Sequence, residues 1–320
     1  MKYKVKDTND ISSNYGIEIL KSRGIEDVDN FLHPTKAHSL QSWQDLDHIW
    51  DGVGLVAGAL AEEKPRLALV VDCDVDGFTS ASILYQYLKD LKPIVQIDYY
   101  LHEGKQHGLS DTCDKIIDSG YKYDLCLVPD AGSNDFDYIE RLKEYNIPTL
   151  VLDHHIVEDD TKFSDYGIII NNQMSPKYRN KDLSGAGVTY QFCRAVDANY
   201  NTTYSCKYID LAALGICADM MSAASEENQY FWKEGFANIN NPFFQVLCDK
   251  QSYSMGEKVN PTTVAFYIVP LINAMIRVGT MEEKDRLFHA FINGMEKVPS
   301  NKRGAKGTLE YVAVESAPQS

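Results

Sequence analysis

The sequence predicts an α/β protein with a doubly wound, mostly parallel sheet, a helical lead-in and a helical C-terminal region. Three observations support this fold class. Short runs rich in Val, Ile and Leu alternate with helix-like segments between residues 66 and 198. Continuous apolar runs of this length are typical of parallel strands that helices cover on both faces. Polar residues, many of them acidic, follow directly after several runs, as expected at the ligand-binding edge of such a sheet.

The predicted elements follow in order along the chain. Strands are predicted at 66–71, 95–101, 123–128, 147–152 and 166–171. Helices are predicted around them at 45–63, 79–91, 110–120, 137–145 and 186–198. From residue 207 onward the apolar spacing is helical, which predicts helices at 208–221, 227–239, 263–279 and 282–294. A proline inside such a pattern interrupts the helix, so a break is expected at Pro270.

Composition limits the classes of protein that fit the chain. Its 320 residues carry a formal net charge of −15, which argues against a broad basic surface for nucleic acid. Basic residues cluster locally at 177–181 and at 302–306, and the second cluster is interpreted as a solvated tail. The seven cysteines include no CxxC pair, so reduced thiols and a cytoplasmic location are expected, rather than a disulfide framework or a zinc site. We also expect neither a signal peptide nor a membrane span.

The acidic residues after the strands carry the main functional signal. They are predicted to share one crevice, because the carboxyl ends of parallel strands lie at the same edge of a sheet. Carboxylates gathered this closely repel one another unless cations hold them. We therefore predict two divalent cations, with Mn²⁺ favoured over Mg²⁺ because imidazole is present. The candidate residues are Asp72, Asp74, Asp76, Asp130, His154, His155 and Asp219.

Local geometry suggests how these residues divide between the two ions. In an extended segment, residues two apart face the same way, so Asp74 and Asp76 are expected to enter the cleft together. Asp130 is placed between the ions as a bridge. His154 and His155 point apart, so one is expected on metal and the other on substrate. Paired ions about 3.5–4 Å apart suit phosphoester hydrolysis, because they activate water and neutralise the leaving oxygen.

Three other interpretations fit parts of the pattern. DCDVDG begins like an EF-hand loop, but Ile83 stands where the twelfth-position Glu belongs, and a β-like run precedes it. DCDVDGFT also resembles the motif of haloacid-dehalogenase-type phosphatases, in which Asp72 would be the nucleophile. That interpretation leaves the two histidines unexplained. Helix capping explains single acids such as Asp135, but it is a poor explanation of the whole set.

Two segments are predicted to contact a phosphate-bearing substrate. The first comprises Ser184, Gly185, Ala186 and Gly187. Small residues at the start of a helix let backbone N–H groups approach an anion, although an ordinary serine cap is an even alternative. The second segment follows the strand at 95–101 and contains Lys105 and His107. These two side chains either contact phosphates or lie in a solvated loop.

Together these motifs are similar to those of one family. VVDCDVDGFTSA, VPDAGSND, VLDHHIVED, LSGAGVTYQF and LAALGICADM occur in that order within residues 66–221. On this combination the chain resembles the DHH phosphoesterase superfamily and, within it, the RecJ-like single-strand-specific exonucleases. YIVPLINAMIRVG, which contains Asn273 and Arg277, further resembles the RecJ-type segment that follows the DHH core.

The resemblance implies a function and a role for each matching residue. It implies a metal-activated water that attacks a phosphodiester, and release of nucleotides from the 5′ ends of single-stranded DNA. The implied metal ligands are Asp74, Asp76, Asp130, His154 and Asp219. His155 is implied as the catalytic residue beside the scissile phosphate, and Asp72 as a ligand or a supporting acid. The segment 184–187, Asn273 and Arg277 would contact the substrate.

The sequence also departs from the family. An arginine often precedes a GYG-like turn there, whereas here the turn reads QHG and His102 or Lys105 stands in that region. Neither the DHH-associated domain nor an OB-fold is visible in residues 280–320. The expected division is a lead-in (1–60), a DHH domain (61–225), a helical linker region (226–295) and a polar tail or start of a further domain (296–320). A phosphodiesterase for short oligonucleotides or cyclic dinucleotides, and an inactive DHH-fold scaffold, are the alternatives.

Overall fold

A computed structural model describes residues 15–158, 167–300 and 309–316. Its centre is a five-stranded parallel sheet, which confirms the predicted α/β class. The strands are β1 (Arg66–Val71), β2 (Gln96–Leu101), β3 (Leu125–Pro129), β4 (Thr149–Asp153) and β5 (Gly167–Asn171). Each agrees with its predicted position to within two residues at either end. The basic cluster at 302–306 and part of the predicted tail lie outside the described residues.

The strand order in the sheet is β2-β1-β3-β4-β5. β2 therefore lies on one side of β1, and β3, β4 and β5 follow in order on the other side. Ligands in open parallel sheets bind outside the carboxyl ends of the strands, at the point where the order reverses. In this protein that point lies between the end of β1 and the end of β3. The acidic residues after these two strands are therefore neighbours.

Helices cover both faces of the sheet, as the continuous apolar strands predict. Alternate residues of β1 point to opposite faces. Leu67 and Leu69 join the apolar core formed with α3 (Ile49–Ala61), α4 (Val75–Leu91) and α7 (Gly185–Tyr200). Ala68 and Val70 pack on the other face, against α5 (Thr112–Asp118) and α6 (Phe136–Glu144).

The remaining elements extend the first of these layers. Two short helices, α1 (Tyr15–Ser22) and α2 (Val28–Leu32), precede α3. The C-terminal region contains α8 (Ile209–Ala218), α9 (Glu226–Ala237), α10 (Pro242–Lys250), α11 (Ser252–Met255), α12 (Pro261–Tyr267), α13 (Val269–Val278), α14 (Met281–Asn293) and α15 (Val312–Ser316). β6 (Lys297–Pro299) pairs with β7 (Leu309–Tyr311) in a small antiparallel sheet. The apolar core is continuous from α3 through α15, across the predicted boundary at residue 225, so the domain division stays a prediction.

The segment 261–278 bears on two expectations, the helix break at Pro270 and the absence of a membrane span. The helix is interrupted at Ile268, two residues before Pro270, so the expected break is confirmed, and Pro270 lies in the first turn of α13, where its missing N–H is not needed. The stretch Pro261–Val278 is also long and apolar enough to cross a membrane by length and composition, with a mean hydropathy of 1.4. Core helices of soluble proteins pass the same test. Here Val264 and Ile272 on one side of the helix pair pack into the core.

Candidate active site

The loop between β1 and α4 carries the first three carboxylates. Asp74 is the N-cap of α4, and its side chain accepts a hydrogen bond from the Gly77 N–H at 2.9 Å. This cap starts the helix at Val75, four residues before the predicted start at 79. Asp76 therefore lies in the first helical turn, and the expectation that Asp74 and Asp76 share one extended segment is wrong. Both carboxylates nevertheless belong to the same acidic crevice.

Asp76 is buried and is held by the N-terminus of α7. Its carboxylate accepts hydrogen bonds from Ser184 Oγ at 2.9 Å, from the Gly185 N–H at 2.8 Å and from the Ala186 N–H at 3.2 Å. Unpaired N–H groups at a helix start favour an anion, and Asp76 is the anion that these donors contact. A direct contact of Ser184–Gly187 with substrate stays a prediction.

Asp130 follows β3 and is buried, with a backbone φ of +66°. Its backbone N–H donates to the Leu152 carbonyl at 2.8 Å, but its Oδ1 has no hydrogen-bond partner among the described residues. Burial and the neighbouring charges of Asp76 and Asp74 raise the pKa of Asp130 well above its usual range. A buried carboxylate oxygen without a donor is costly unless a cation contacts it.

His154 lies between several of these acids. Its Nε2 is 3.3 Å from Asp130 Oδ1, 3.6 Å from Asp219 Oδ2 and 3.9 Å from Asp76 Oδ2. Burial lowers the pKa of His154, which favours the neutral imidazole that binds metals. Asp219 stands at the end of α8, where burial and the charges of Asp76 and Asp74 raise its pKa to about 7.

The described residues form four groups of potential ligand atoms. Two of them are Asp130 with Asp153, His154 and His155, and Asp72 with Cys73 and His107. The two that match the predicted ligands are Asp76 with His154 and Asp219, and Asp72 with Asp74 and Asp130. Within each group, one ligand atom from every residue lies within 4.8 Å of the others. Asp130 Oδ1 borders both of the matching groups through its 3.3 Å approach to His154. The structure thus has a cluster of acidic residues and histidine that could bind metal.

His155 does not point away from His154 as expected, because the two ring centroids lie only 4.4 Å apart. Its Nδ1 lies 2.8 Å from Asp153 Oδ1, and this hydrogen bond raises the pKa of His155 to about 9. Asp153 is buried and also accepts from the N–H groups of His154 and Ser133. Burial alone would raise the pKa of Asp153, but its hydrogen bond to His155 and the charges of both histidines lower it. Asp153 therefore orients His155 and was not predicted as a site residue.

The loop after β2 approaches the same crevice. His107 Nδ1 lies 2.7 Å from Asp72 Oδ2, and the Gly108 N–H donates to Asp72 Oδ1 at 3.0 Å. His102 is buried against Asp111, with its Nε2 3.5 Å from Asp72 Oδ1, whereas Lys105 is exposed. His102, rather than Lys105, thus stands beside the acids. A phosphate contact by either residue, or by His107, stays a prediction.

A cavity of about 530 Å³ opens beside the acids. It is lined by His107, Gly108, His155 and the segment 131–135 that follows β3. The two imidazoles are the exposed groups of the site, with side-chain exposures of 60% for His107 and 55% for His155. The Asp72 hydrogen bond raises the pKa of His107, so both rings can carry positive charge towards this cavity.

Asn273 and Arg277 lie on α13. α13 packs against α4, α8 and α14. Asn273 is partly buried, and its Oδ1 has no hydrogen-bond partner among the described residues, whereas Arg277 is exposed. The structure does not bring these two side chains into contact with the carboxylates, so their predicted role at substrate stays untested.

Comparison with known proteins places this architecture in a family. The model described as the DHH family, N-terminal domain, matches residues 66–216. This domain belongs to the DHH family. A Bacillus subtilis protein provisionally named SPbeta prophage-derived single-strand DNA-specific exonuclease YorK is 38% identical over 98% of this chain and 53% of its own length. The single-stranded-DNA-specific exonuclease RecJ of Thermus thermophilus is 28% identical over 76% of this chain and 35% of that protein.

Solved structures agree with the DHH assignment at the level of the fold. The crystal structure of RecJ in complex with Mn²⁺ from Thermus thermophilus gives a TM-score of 0.65 at 24% identity, covering 77% of this chain and 35% of that one. A structure of exonuclease RecJ bound to manganese gives 0.68 at 24% identity, covering 79% and 62%. The chain spans about half the length of the Bacillus relative that it matches.

Three glycines of the DHH domain stand directly behind its carboxylates. A Cβ atom at Gly185 would lie 2.2 Å from Asp130 Oδ1, and one at Gly215 would lie 2.2 Å from Asp76 Oδ1. A Cβ atom at Gly77 would lie 2.5 Å from the Asp72 Cβ. Separations under 3.0 Å do not occur for real Cβ atoms. Any larger residue at one of these glycines would therefore collide with the aspartate beside it.

Two residues outside the matched DHH domain also support the site. Lys284 on α14 is buried, and its Nζ donates to the His102 carbonyl at 3.2 Å, which anchors the loop that carries His107. Glu227 on α9 is buried and accepts hydrogen bonds from Tyr178 at 2.8 Å and Asn180 at 2.8 Å. These bonds hold the segment that leads into Ser184. No local motif marks either residue, so neither is predictable from the sequence.

Proposed function

We propose that this chain is a metal-dependent phosphodiesterase, a RecJ-like exonuclease that hydrolyses single-stranded DNA from the 5′ end in a bacterial or phage-infected cytoplasm. The observation that carries the proposal is the pair of ligand groups that meet at Asp130. The names of the Bacillus and Thermus relatives support the same activity and substrate. The complete set of acids and histidines argues against an inactive scaffold.

The residues fit two divalent cations, Mn²⁺ in preference to Mg²⁺. Asp130 offers a buried oxygen without a donor, and the surrounding carboxylates repel one another, so positive charge is the missing element. Asp76, His154 and Asp219 would hold one ion, and Asp72, Asp74 and Asp130 the other. Oxygen ligands with one imidazole suit Mn²⁺. When bound, such ions activate water and neutralise the leaving oxygen.

Two imidazole groups of the chain are proposed to bind the substrate rather than the metal ions. His155 is oriented by Asp153, and His107 by Asp72, so both rings are fixed at the mouth of the cavity. We assign them to the oxygens of the scissile phosphate and its neighbour, where an imidazolium N–H can donate a charge-assisted hydrogen bond. The α7 N-terminus holds Asp76 in place and keeps its carboxylate from turning away.

The test uses a 5′-phosphorylated, 3′-labelled single-stranded oligonucleotide with Mn²⁺, beside a dinucleotide under the same conditions. We expect stepwise shortening of the long strand from its 5′ end. Cleavage of the dinucleotide alone would instead favour the second candidate, a phosphodiesterase for short oligonucleotides or cyclic dinucleotides. The net charge of −15 favours that candidate, because a negatively charged surface grips long DNA weakly. No hydrolysis of either substrate would contradict both proposals.

Mn²⁺ affinity is expected to rise steeply with pH. Burial raises the pKa of Asp74 to about 6 and that of Asp219 to about 7, and each group binds metal only after losing its proton. Protons therefore compete with the ion below these values, and affinity increases as pH rises through them. We expect at least a tenfold gain, roughly, between pH 5.5 and 7.5 by titration calorimetry. An affinity that does not change over this range would contradict the ligand assignment.

A further inference from the structure

Cys73 belongs to a further group of ligand atoms, of which the proposed two-metal site uses only Asp72. It lies between Asp72 and Asp74 and is only 9% exposed. Its Sγ is 3.6 Å from His107 Nε2 and 3.7 Å from His107 Nδ1. One ligand atom each from Asp72, Cys73 and His107 lies within 4.8 Å of the other two.

The chemistry of this group differs from that of its neighbours. It offers one sulfur, one imidazole nitrogen and one carboxylate oxygen, whereas the two groups assigned to the catalytic metals offer mainly oxygen. Thiolate sulfur selects Zn²⁺ and similar soft or borderline ions over Mn²⁺ and Mg²⁺. The Cys73 Sγ is almost equidistant from the two ring nitrogens of His107, so it lies off the lone-pair direction of either one, and Nδ1 is hydrogen-bonded to Asp72 at 2.7 Å. A shared ion therefore requires the His107 ring to turn, and the 60% exposure of its side chain leaves room for that rotation.

We propose that Cys73, His107 and Asp72 form a thiolate-containing site for Zn²⁺ beside the catalytic metals. Binding replaces the S–H bond of Cys73 by a sulfur–zinc bond and releases the proton to solvent, with no change of oxidation state. His107 is 60% exposed on its side chain, so the ion can enter from solvent and keep a water as its fourth ligand.

The position of Asp72 gives this site a regulatory consequence, which rests on the proposed nuclease function. Asp72 belongs both to the Cys73 group and to the group with Asp74 and Asp130. A zinc ion on Cys73 and His107 therefore draws on a carboxylate that the catalytic metals need. The same zinc ion would also keep His107 from contacting the phosphate of the substrate. Zinc in this site is expected to inhibit hydrolysis even when Mn²⁺ is in excess.

The first test does not depend on activity. Co²⁺ is added as a spectroscopic probe to the whole chain after the other sites have been filled with Mn²⁺. We expect a near-ultraviolet sulfur-to-cobalt charge-transfer band that Zn²⁺ abolishes. Cys73→Ser is expected to lose the band, and Cys73→Ala serves as a second variant if the first fails to fold. The matched control is Cys206→Ser, which removes an exposed thiol elsewhere and should keep the band. A wild-type protein without the band, or a band that survives in Cys73→Ser, would overturn the proposal.

The second test measures inhibition of hydrolysis by Zn²⁺ at constant Mn²⁺. Loss of one ligand should raise the Zn²⁺ concentration for half-inhibition at least about tenfold in Cys73→Ser, with activity in Mn²⁺ alone unchanged. Equal inhibition of the wild type and Cys73→Ser would overturn the regulatory role. A cobalt band in a protein that hydrolyses no substrate would instead refute the proposed nuclease function and leave the zinc site standing.

Discussion

Replacement of Asp130 by Asn is expected to reduce hydrolysis of single-stranded DNA by at least about 100-fold, because this residue borders both ligand groups. The variant keeps the size of the side chain and removes its charge. Asn also tolerates the positive φ of +66° at this position better than most residues. The loss should therefore arise from weaker Mn²⁺ binding and not from unfolding.

Calorimetry and denaturant unfolding separate these two causes. Asp130→Asn should bind Mn²⁺ more weakly, while its metal-free form should be at least as stable as the wild type, since a buried, repelled carboxylate has been removed. Asp137→Asn, at an exposed position in the first turn of α6, is the matched control and should leave activity unchanged. Activity of Asp130→Asn within a few-fold of the wild type would refute the assignment.

Replacement of Gly185 by Ala should disturb the proposed metal site purely by steric overlap with Asp130. The added Cβ would lie 2.2 Å from Asp130 Oδ1 and 2.7 Å from its Cα, so backbone or carboxylate must move. Overpacking of a buried site costs about 1–3 kcal/mol of unfolding free energy. The new Cβ would displace the Asp130 carboxylate, which is a proposed metal ligand. We therefore expect Mn²⁺ affinity, the rate of hydrolysis and the free energy of unfolding all to fall.

Gly58 provides the control for this experiment. It lies exposed within α3, and a Cβ there meets no atom within 4 Å. Gly58→Ala should therefore stabilise the protein by about 0.5–1 kcal/mol through helix propensity and leave hydrolysis unchanged. If Gly185→Ala were as stable and as active as Gly58→Ala, the close packing of α7 against Asp130 would be refuted.

The strands and the acids that follow them were predictable because both signals are local. An apolar run ends at Pro129 and an acid follows it at Asp130, so the strand places the carboxylate. The parallel arrangement then brings Asp130 to the loop after β1. The same reasoning places His154 and His155 after β4, but it wrongly orients them apart, since their ring centroids lie 4.4 Å from each other.

Other features depend on contacts that sequence spacing does not record. Asp76 pairs with the N-terminus of α7, 109 residues further along the chain at Gly185. The helix start at Val75 was missed because Asp74 was interpreted as a ligand and not also as a cap. The burial of His102 depends on Asp111 and on Lys284, which lies 182 residues away. Polar side chains of this kind have no periodic pattern.

The anchoring by Glu227 and Lys284 has a consequence for any dissection of the chain. Both residues lie beyond the end of the matched domain at 216, yet one fixes the approach to Ser184 and the other fixes the loop that carries His107. A fragment cut at that boundary would retain Asp72, Asp74, Asp76 and Asp130 but lose the proposed ligand Asp219. It would also lose the contacts by which Glu227 and Lys284 hold two neighbouring segments. The segment that must be kept together when the chain is expressed or exchanged between proteins therefore extends at least through α14.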